Sequence, residues 1–169
     1  MSRPQASDFP AYFSRYISQV DVDTVSEAIS KYGQPLGSFY KNLPEEIADR
    51  AYAPGKWTLK EVLQHVIDAE RVFSYRVLRI ARKDKTPLAS FDENLYAETS
   101  LASKRSFSDI KEEFLAVRRA TDLLLASLSE NQLAQQGISS ELPVTANALA
   151  YIIYGHMLHH KQVLEERYL

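Results

Sequence analysis

The stretch Thr58–Lys83, TLKEVLQHVIDAERVFSYRVLRIARK, decides the fold. Thr58 is followed three residues later by Glu61, the capping-box spacing that starts a helix. From there Leu59, Val62, Val66, Phe73, Val77 and Ile80 recur at intervals of three and four, so one face is apolar and the opposite face carries charge. Arg82 and Lys83 close the run, where cations suit the negative end of a helix dipole. The turn Pro54-Gly55-Lys56 precedes it. A long helix with a single apolar stripe must bury that stripe against partners, and the flanking sequence supplies them.

Downstream, a helix opening at Ser106 or Ser108 carries Ile110, Phe114, Val117, Thr121, Leu124 and Leu128, the seam expected of a bundle helix. A further helix follows Pro143, with Thr145 as its cap, through Leu149, Ile153, His156, His160 and Leu164. Upstream, Val25, Ala28, Ile29, Tyr32, Leu36, Phe39 and Leu43 form a helix from about Asp23, which Pro35 should kink or briefly break. A short amphipathic lead-in, Asp8 to Ile17, precedes it. Between the second and third helices, Lys85 to Arg105 is a long connection with room for a short helix at Glu93 to Glu98. No period-2 strands compete. The expectation is an all-α chain, a single domain over residues 1–169: a four-helix bundle with a long connection between helices two and three.

Composition sets the limits of the chemistry. A chain of 169 residues with 45% apolar content buries enough surface to fold without disulfides or a structural metal. Its lack of cysteine excludes a disulfide framework, a thiolate metal site and a cysteine nucleophile. A net charge of −2 gives no excess of Lys and Arg for phosphate neutralisation, so nucleic acid is not the expected partner. The first ten residues, MSRPQASDFP, lack the apolar core of a secretory signal. The most apolar stretch, Ala148 to Tyr154, is far shorter than the roughly 20 residues that span a bilayer. A cytoplasmic location without membrane contact is the default expectation. A homodimer is compatible with bundle helices that keep a spare apolar face.

Chemistry concentrates in the histidines. Of four, three fall within His156–His160. His156 and His160 are one turn apart and, at about 100° per residue, within about 20° of Leu149 on the inward face. Two imidazoles so spaced can converge on one ion, or can be hydrogen-bonded core residues. His159 falls about 80° away, on the flank. His65 lies on the shoulder of its helix between Val72 and Ala69, where periodicity alone does not enlist it. Ala69, one turn on, leaves space. Glu61 and Asp68 stand where they could accept the second ring proton of His65, and with His159 they are the candidate catalytic residues.

The run Tyr52–Glu70, YAPGKWTLKEVLQHVIDAE, and the ending Tyr154–His160, YGHMLHH, resemble the DinB-like (damage-inducible) family. Trp57, eight residues before His65, is typical of it, and Tyr75-Arg76 to Arg82 and Phe91-Asp92-Glu93 fit as well. The likeness extends from about residue 10 to the end. It implies a four-helix bundle holding a divalent metal on His65, His156 and His160, with zinc or nickel foremost and manganese or iron as alternatives. It further implies an external low-molecular-weight thiol, such as bacillithiol or mycothiol, and transfer of that thiol to a small-molecule substrate. Metal-dependent hydrolysis is the alternative, with a carboxylate or His159 moving protons, and a non-catalytic stress-response bundle is the third reading. Other residues read more plainly: Trp57 as a packing anchor first and a pocket residue second, Asp92 and Glu93 as exposed polar loop, with reach to the open face of the bundle as the alternative, and Arg76, Arg79, Arg82 and Lys83 as a solvated face able to bind the carboxylate of an anionic thiol.

Overall fold

The computed structural model describes residues 1–169. Two 3₁₀ turns, Ala6–Asp8 and Ala11–Phe13, lead into a one-turn helix, α1 (Ser14–Ile17), and then α2 (Val25–Lys41). α3 (Leu59–Ala81), α4 (Glu93–Thr99), α5 (Phe107–Ala126) and α6 (Glu130–Leu133) follow. A hairpin of β1 (Gln136–Ser139) and β2 (Leu142–Thr145) precedes α7 (Ala146–Arg167). The four long helices α2, α3, α5 and α7 are those the sequence predicts, and α4 is the expected short helix.

Each begins where the capping chemistry places it. Thr24, Thr58, Ser106 and Thr145 accept a backbone N–H three residues on, and Thr24 and Thr58 are answered by Glu27 and Glu61. α2 runs unbroken through Pro35, against expectation. The lost hydrogen bond is offset by burial of Leu36 and Tyr40, whose hydroxyl donates to the Met157 carbonyl at 2.8 Å and holds α2 to α7.

In the bundle α3 packs against α5 and α7, and α2 packs against the same two helices. Helices adjacent in sequence, α2 with α3 and α5 with α7, therefore stand diagonally. Each diagonal step needs a crossover, so the connections 42–58 and 127–145 are long as well as the predicted one at 82–106. The start of α3 lies beside the end of α7, where the Tyr168 hydroxyl donates to the Trp57 carbonyl, so these two helices are antiparallel. One apolar cluster of 38 buried residues runs through all four.

Two features depart from the sequence reading. The chain is not purely helical: β1 and β2 pair antiparallel, Gln136 opposite Thr145 and Ser139 opposite Leu142. Their turn places Ser140 and Glu141 at φ 51° and 67°, the left-handed pair that two-residue hairpins require. Leu88 of the long connection adds a parallel bridge to Ser139. Second, α7 is buried on every side from Ala146 to Met157, not on one stripe. Its outer side is covered by α1, which comes so close at Gly155 that a Cβ there would lie 2.1 Å from the Tyr16 carbonyl oxygen. No helix is long and apolar enough to cross a membrane.

Gly155→Ala forces α1 off α7. Overpacking of this kind costs about 1–3 kcal/mol, expected as a lower urea midpoint with an unchanged denaturant slope. An unaltered midpoint would show that α1 does not rest on Gly155 in solution.

Candidate metal centre

α3 and α7 each contribute to one cluster. His65 projects from α3, and His156 and His160 project one turn apart from α7. Their ring nitrogens lie within 4.8 Å of one another. The Nε2 of His156 is 3.1 Å from that of His65 and 3.2 Å from that of His160. His65 thus belongs to the cluster although its periodicity left it on a shoulder: α7 packs along α3 there, and the small, buried Ala69 one turn on lines the cavity beside it.

These contacts can be tested as a donor set. A neutral imidazole nitrogen is either a donor or an acceptor, so the single Nε2 of His156 cannot pair fully with both neighbours. His160 has no other outlet, because its Nδ1 is buried without a partner. Left to themselves the three rings are under-satisfied. A cation would use all three lone pairs, and for a tetrahedral ion at about 2.05 Å from each imidazole the nitrogens would be about 3.3 Å apart. The separations of His156 from His65 and His160, 3.1 and 3.2 Å, fit that requirement, and the His65–His160 pair lies within 4.8 Å.

Electrostatics point the same way. Burial pulls the His65 ring down to about 4, with His159 adding to the effect and Glu93 opposing it. Burial first, and then the neighbouring histidines and Arg15, push His156 and His160 well below the ordinary histidine value. All three are therefore neutral at pH 7, the form that ligates metal.

A cavity of about 520 Å³ opens over the cluster. Trp57, Phe13, Tyr16, Phe73 and Phe91 form much of its wall. The Trp57 ring is 4.8 Å from His65, and Tyr16 packs edge-on against His156 at 5.4 Å and His159 at 5.5 Å. Trp57 is thus both packing anchor and pocket wall. The polar lining comprises Arg15, Arg76, Glu93, Ser139, Ser140 and His159 beside the three clustered histidines.

The other candidates fall differently. His159 lines the cavity and is half-buried, its ring lowered by burial and by Arg15. Glu61 and Asp68 do not line it. Glu61 accepts from the Thr58 N–H at 2.7 Å and Asp68 from the Gln64 amide at 3.0 Å, so neither carboxylate holds the second ring nitrogen of His65. Glu93 is exposed, and it also borders the cavity, the alternative its place on the long connection allowed; Asp92 caps α4 and sets its first turn there. Arg79 pairs with Asp84 and Arg82 and Lys83 face solvent, as a charged helix face should, but Arg76 is buried in the cavity wall. The hairpin residues Ser139, Ser140 and Leu142 had no sequence signal beyond Gly137, whose Cβ would fall 2.7 Å from Ile80.

Residues 36–164 match the DinB superfamily. The chain belongs to that superfamily. Its DinB fold is shared with YfiT from Bacillus subtilis, described as a probable metal-dependent hydrolase with an unusual four-helix bundle topology: TM-score 0.72 at 16% identity, over 96% of this chain and 89% of that one. The mycothiol-dependent maleylpyruvate isomerase superposes with a TM-score of 0.66 at 13% identity, over 82% of this chain and 59% of that one. Among sequences, proteins of Bacillus cereus and Bacillus anthracis named "Putative metal-dependent hydrolase" are 29% identical over 87 residues, 51% of this chain. The match spans about half of their length (50%).

The depressed histidines make acid destabilising. Unfolded histidine takes up its proton near pH 6.5 while folded His65 stays neutral to about 4, so between those values the unfolded state binds more protons. Stability of the metal-free protein is expected to fall from pH 7 to pH 5, by about 2 kcal/mol for His65 alone. Urea titrations in the presence of chelator measure it. A stability that is flat over that interval would mean the rings are not buried as described.

Proposed function

We propose that the chain is a divalent-metal-dependent enzyme whose ion is held by His65, His156 and His160, and that it transfers a low-molecular-weight thiol to an electrophilic small molecule. The observation that carries this reading is the convergence of three neutral Nε2 atoms at the floor of an aromatic cavity. Three imidazoles from two helices leave coordination positions open toward the cavity, the arrangement of a working site and not of a closed structural one. A divalent cation bound there would supply Lewis acidity, making a thiol or a water acidic near neutral pH. The histidine donor set accepts zinc or nickel, and manganese or iron in second place.

The chain's own residues do the rest. Trp57, Phe73 and Phe91 exclude water and give a flat substrate apolar faces. In the transfer, the thiol sulfur forms its bond to the electrophilic carbon as the leaving group departs with its electron pair. We assign to His159 and Glu93, both in the lining, the uptake of the thiol proton and its return to the leaving group. With no cysteine in the chain, the thiol must come from outside. The named thiol in the mycothiol-dependent isomerase that shares the fold supports this choice.

Hydrolysis of an amide or ester is the second reading. The names of the Bacillus relatives favour it, and the same His159 and Glu93 would move its protons. In either case the partner is a small molecule, since the cavity of about 520 Å³ admits little more.

Metal analysis of protein purified without a histidine tag is the first test, with about one ion per chain expected. His160→Ala should reduce uptake below detection, whereas His159→Ala should change it less than twofold. Wild-type protein that neither contains nor takes up divalent ions would overturn the proposal. Thiol loss with a panel of thiols and electrophiles, set beside hydrolysis of amides and esters without thiol, separates the two chemistries.

A further inference from the structure

One arginine in the cavity wall has no counter-charge. Arg76 is 4% exposed, yet no carboxylate lies in ion-pair contact with it. Its Nη2 donates to the Ala89 carbonyl at 2.7 Å and to the Ser140 hydroxyl at 3.3 Å, and neither Nε nor Nη1 has a protein partner. Those two groups are not sealed off, for Arg76 is part of the cavity lining. Other arginines of the bundle are treated differently. Arg79 pairs with Asp84, Arg105 with Glu113, and the equally buried Arg118 with Glu70 and Asp122. Burial lowers the Arg76 guanidinium somewhat but leaves it charged at neutral pH.

The surroundings fix the guanidinium and aim it. Its carbon sits 5.9 Å from the Phe73 ring centre and 5.7 Å from that of Phe91, held between two aromatic groups. The same Phe73 ring packs edge-on against the histidine cluster, with ring centres of Phe73 and His156 5.8 Å apart. Phe73 thus neighbours both the guanidinium of Arg76 and the proposed metal site, and all three line one cavity. The chain carries a net charge of −2, while the cavity has two arginines, Arg15 and Arg76, and one acid, Glu93. Arg15 is engaged by the hydroxyls of Tyr12 and Tyr16, and Glu93 acts on His65, away from Arg76. The planar fork left open at Arg76 matches a carboxylate.

We propose that Arg76 anchors a carboxylate of the small-molecule ligand, which lies over Phe73 with its reactive end at His65, His156 and His160. The reading of the histidines as a metal site supplies the second half of that statement and rests on the proposed function; the anchor itself does not. The ligand class is therefore a small organic acid whose carboxylate meets Arg76 while its reacting group reaches the histidines within the same cavity.

Two matched pairs of probes test it: N-acetylcysteinylglycine against its C-terminal amide, and N-acetylalanylglycine against its amide. Affinities are measured by calorimetry with metal-free and zinc-loaded protein. Wild-type protein should prefer the acid of each pair at least tenfold, and Arg76→Gln should bring acid and amide within twofold. A wild type without acid preference, or a preference that survives in Arg76→Gln, would overturn the anchor, as would equal weakening of acid and amide in that variant. Acid preference with the alanine pair in metal-free protein, combined with no uptake of zinc, would uphold the anchor and sink the metal reading. Should Arg76→Gln not fold, the Arg76 Nε–H resonance of the ¹⁵N-labelled wild type gives the same answer. It should shift with the acids and stay in place with the amides, and an equal response to both would overturn the proposal.

Discussion

Arg118 and Asp122 of α5 together meet the other three long helices at one level of the core. The Arg118 guanidinium bonds Glu70 of α3 at 2.7 Å, pairs with Asp122 one turn along its own helix, and lies 5.0 Å from the ring centre of Tyr154 on α7. The Tyr154 hydroxyl donates to Asp122 at 2.6 Å, and α2 reaches the same carboxylate through Gly33, where a Cβ would stand 3.1 Å away. Charges this deeply buried gain little net stability over a well-packed apolar layer, but removing one partner strands another at about 3–5 kcal/mol. That asymmetry makes the network a register device. Apolar stripes alone would let a helix slide by a turn at modest cost, whereas a one-turn slip of α3 here would separate Glu70 from Arg118, and a one-turn slip of α7 would take the Tyr154 hydroxyl from Asp122.

The register carries directly to the histidines. With Glu70 and Tyr154 fixed near Arg118, antiparallel packing of α3 and α7 brings the residue five before Glu70 opposite those two and six after Tyr154, namely His65 opposite His156 and His160. Diagonal placement of sequential helices has a related effect. It leaves the α3–α7 seam without a direct connection, and the crossovers at 42–58 and 127–145, with the long connection at 82–106, supply Trp57, Phe91, Glu93 and Ser140 to the cavity instead. Gly155 completes the enclosure by letting α1 lie against α7 and bring Tyr16 over His156.

Local chemistry was legible in the sequence, and environment was not. Capping residues Thr58, Ser106 and Thr145, the apolar stripes, the short helix after Asp92 and the turn spacing of His156 and His160 all depend on neighbours within four residues. Burial of α7 on every side depends on α1, which is far away in sequence, and the apolar run Ala148–Tyr154 was its only trace. The hairpin was hidden because Ser140 and Glu141 hold left-handed conformations that usually call for Gly or Asn. Glu61 and Asp68 had the right spacing from His65, but the Thr58 cap and the Gln64 amide occupy them. Arg76 shared its sequence pattern with Arg79, Arg82 and Lys83, and only the hairpin turn and the long connection closing over it set it apart. His65 joined the cluster through resemblance at first, and through Nε2 geometry afterwards.

The bundle's independence from its site explains how so strained a cluster persists. Three neutral rings with too few donors, a buried arginine without a counter-ion and an unpaired His160 Nδ1 each oppose folding. A small metal-organised domain could not carry them, because the metal would have to be present before the chain folded. Here a continuous apolar core of 38 residues lies along the helices and the polar defects gather at one cavity. The defects are also complementary in kind: lone pairs that call for a cation and N–H groups that call for an anion line one cavity and both neighbour Phe73. A ligand satisfying either one alone leaves the other open, so both are met by a cation at the histidines together with an acid that spans Phe73.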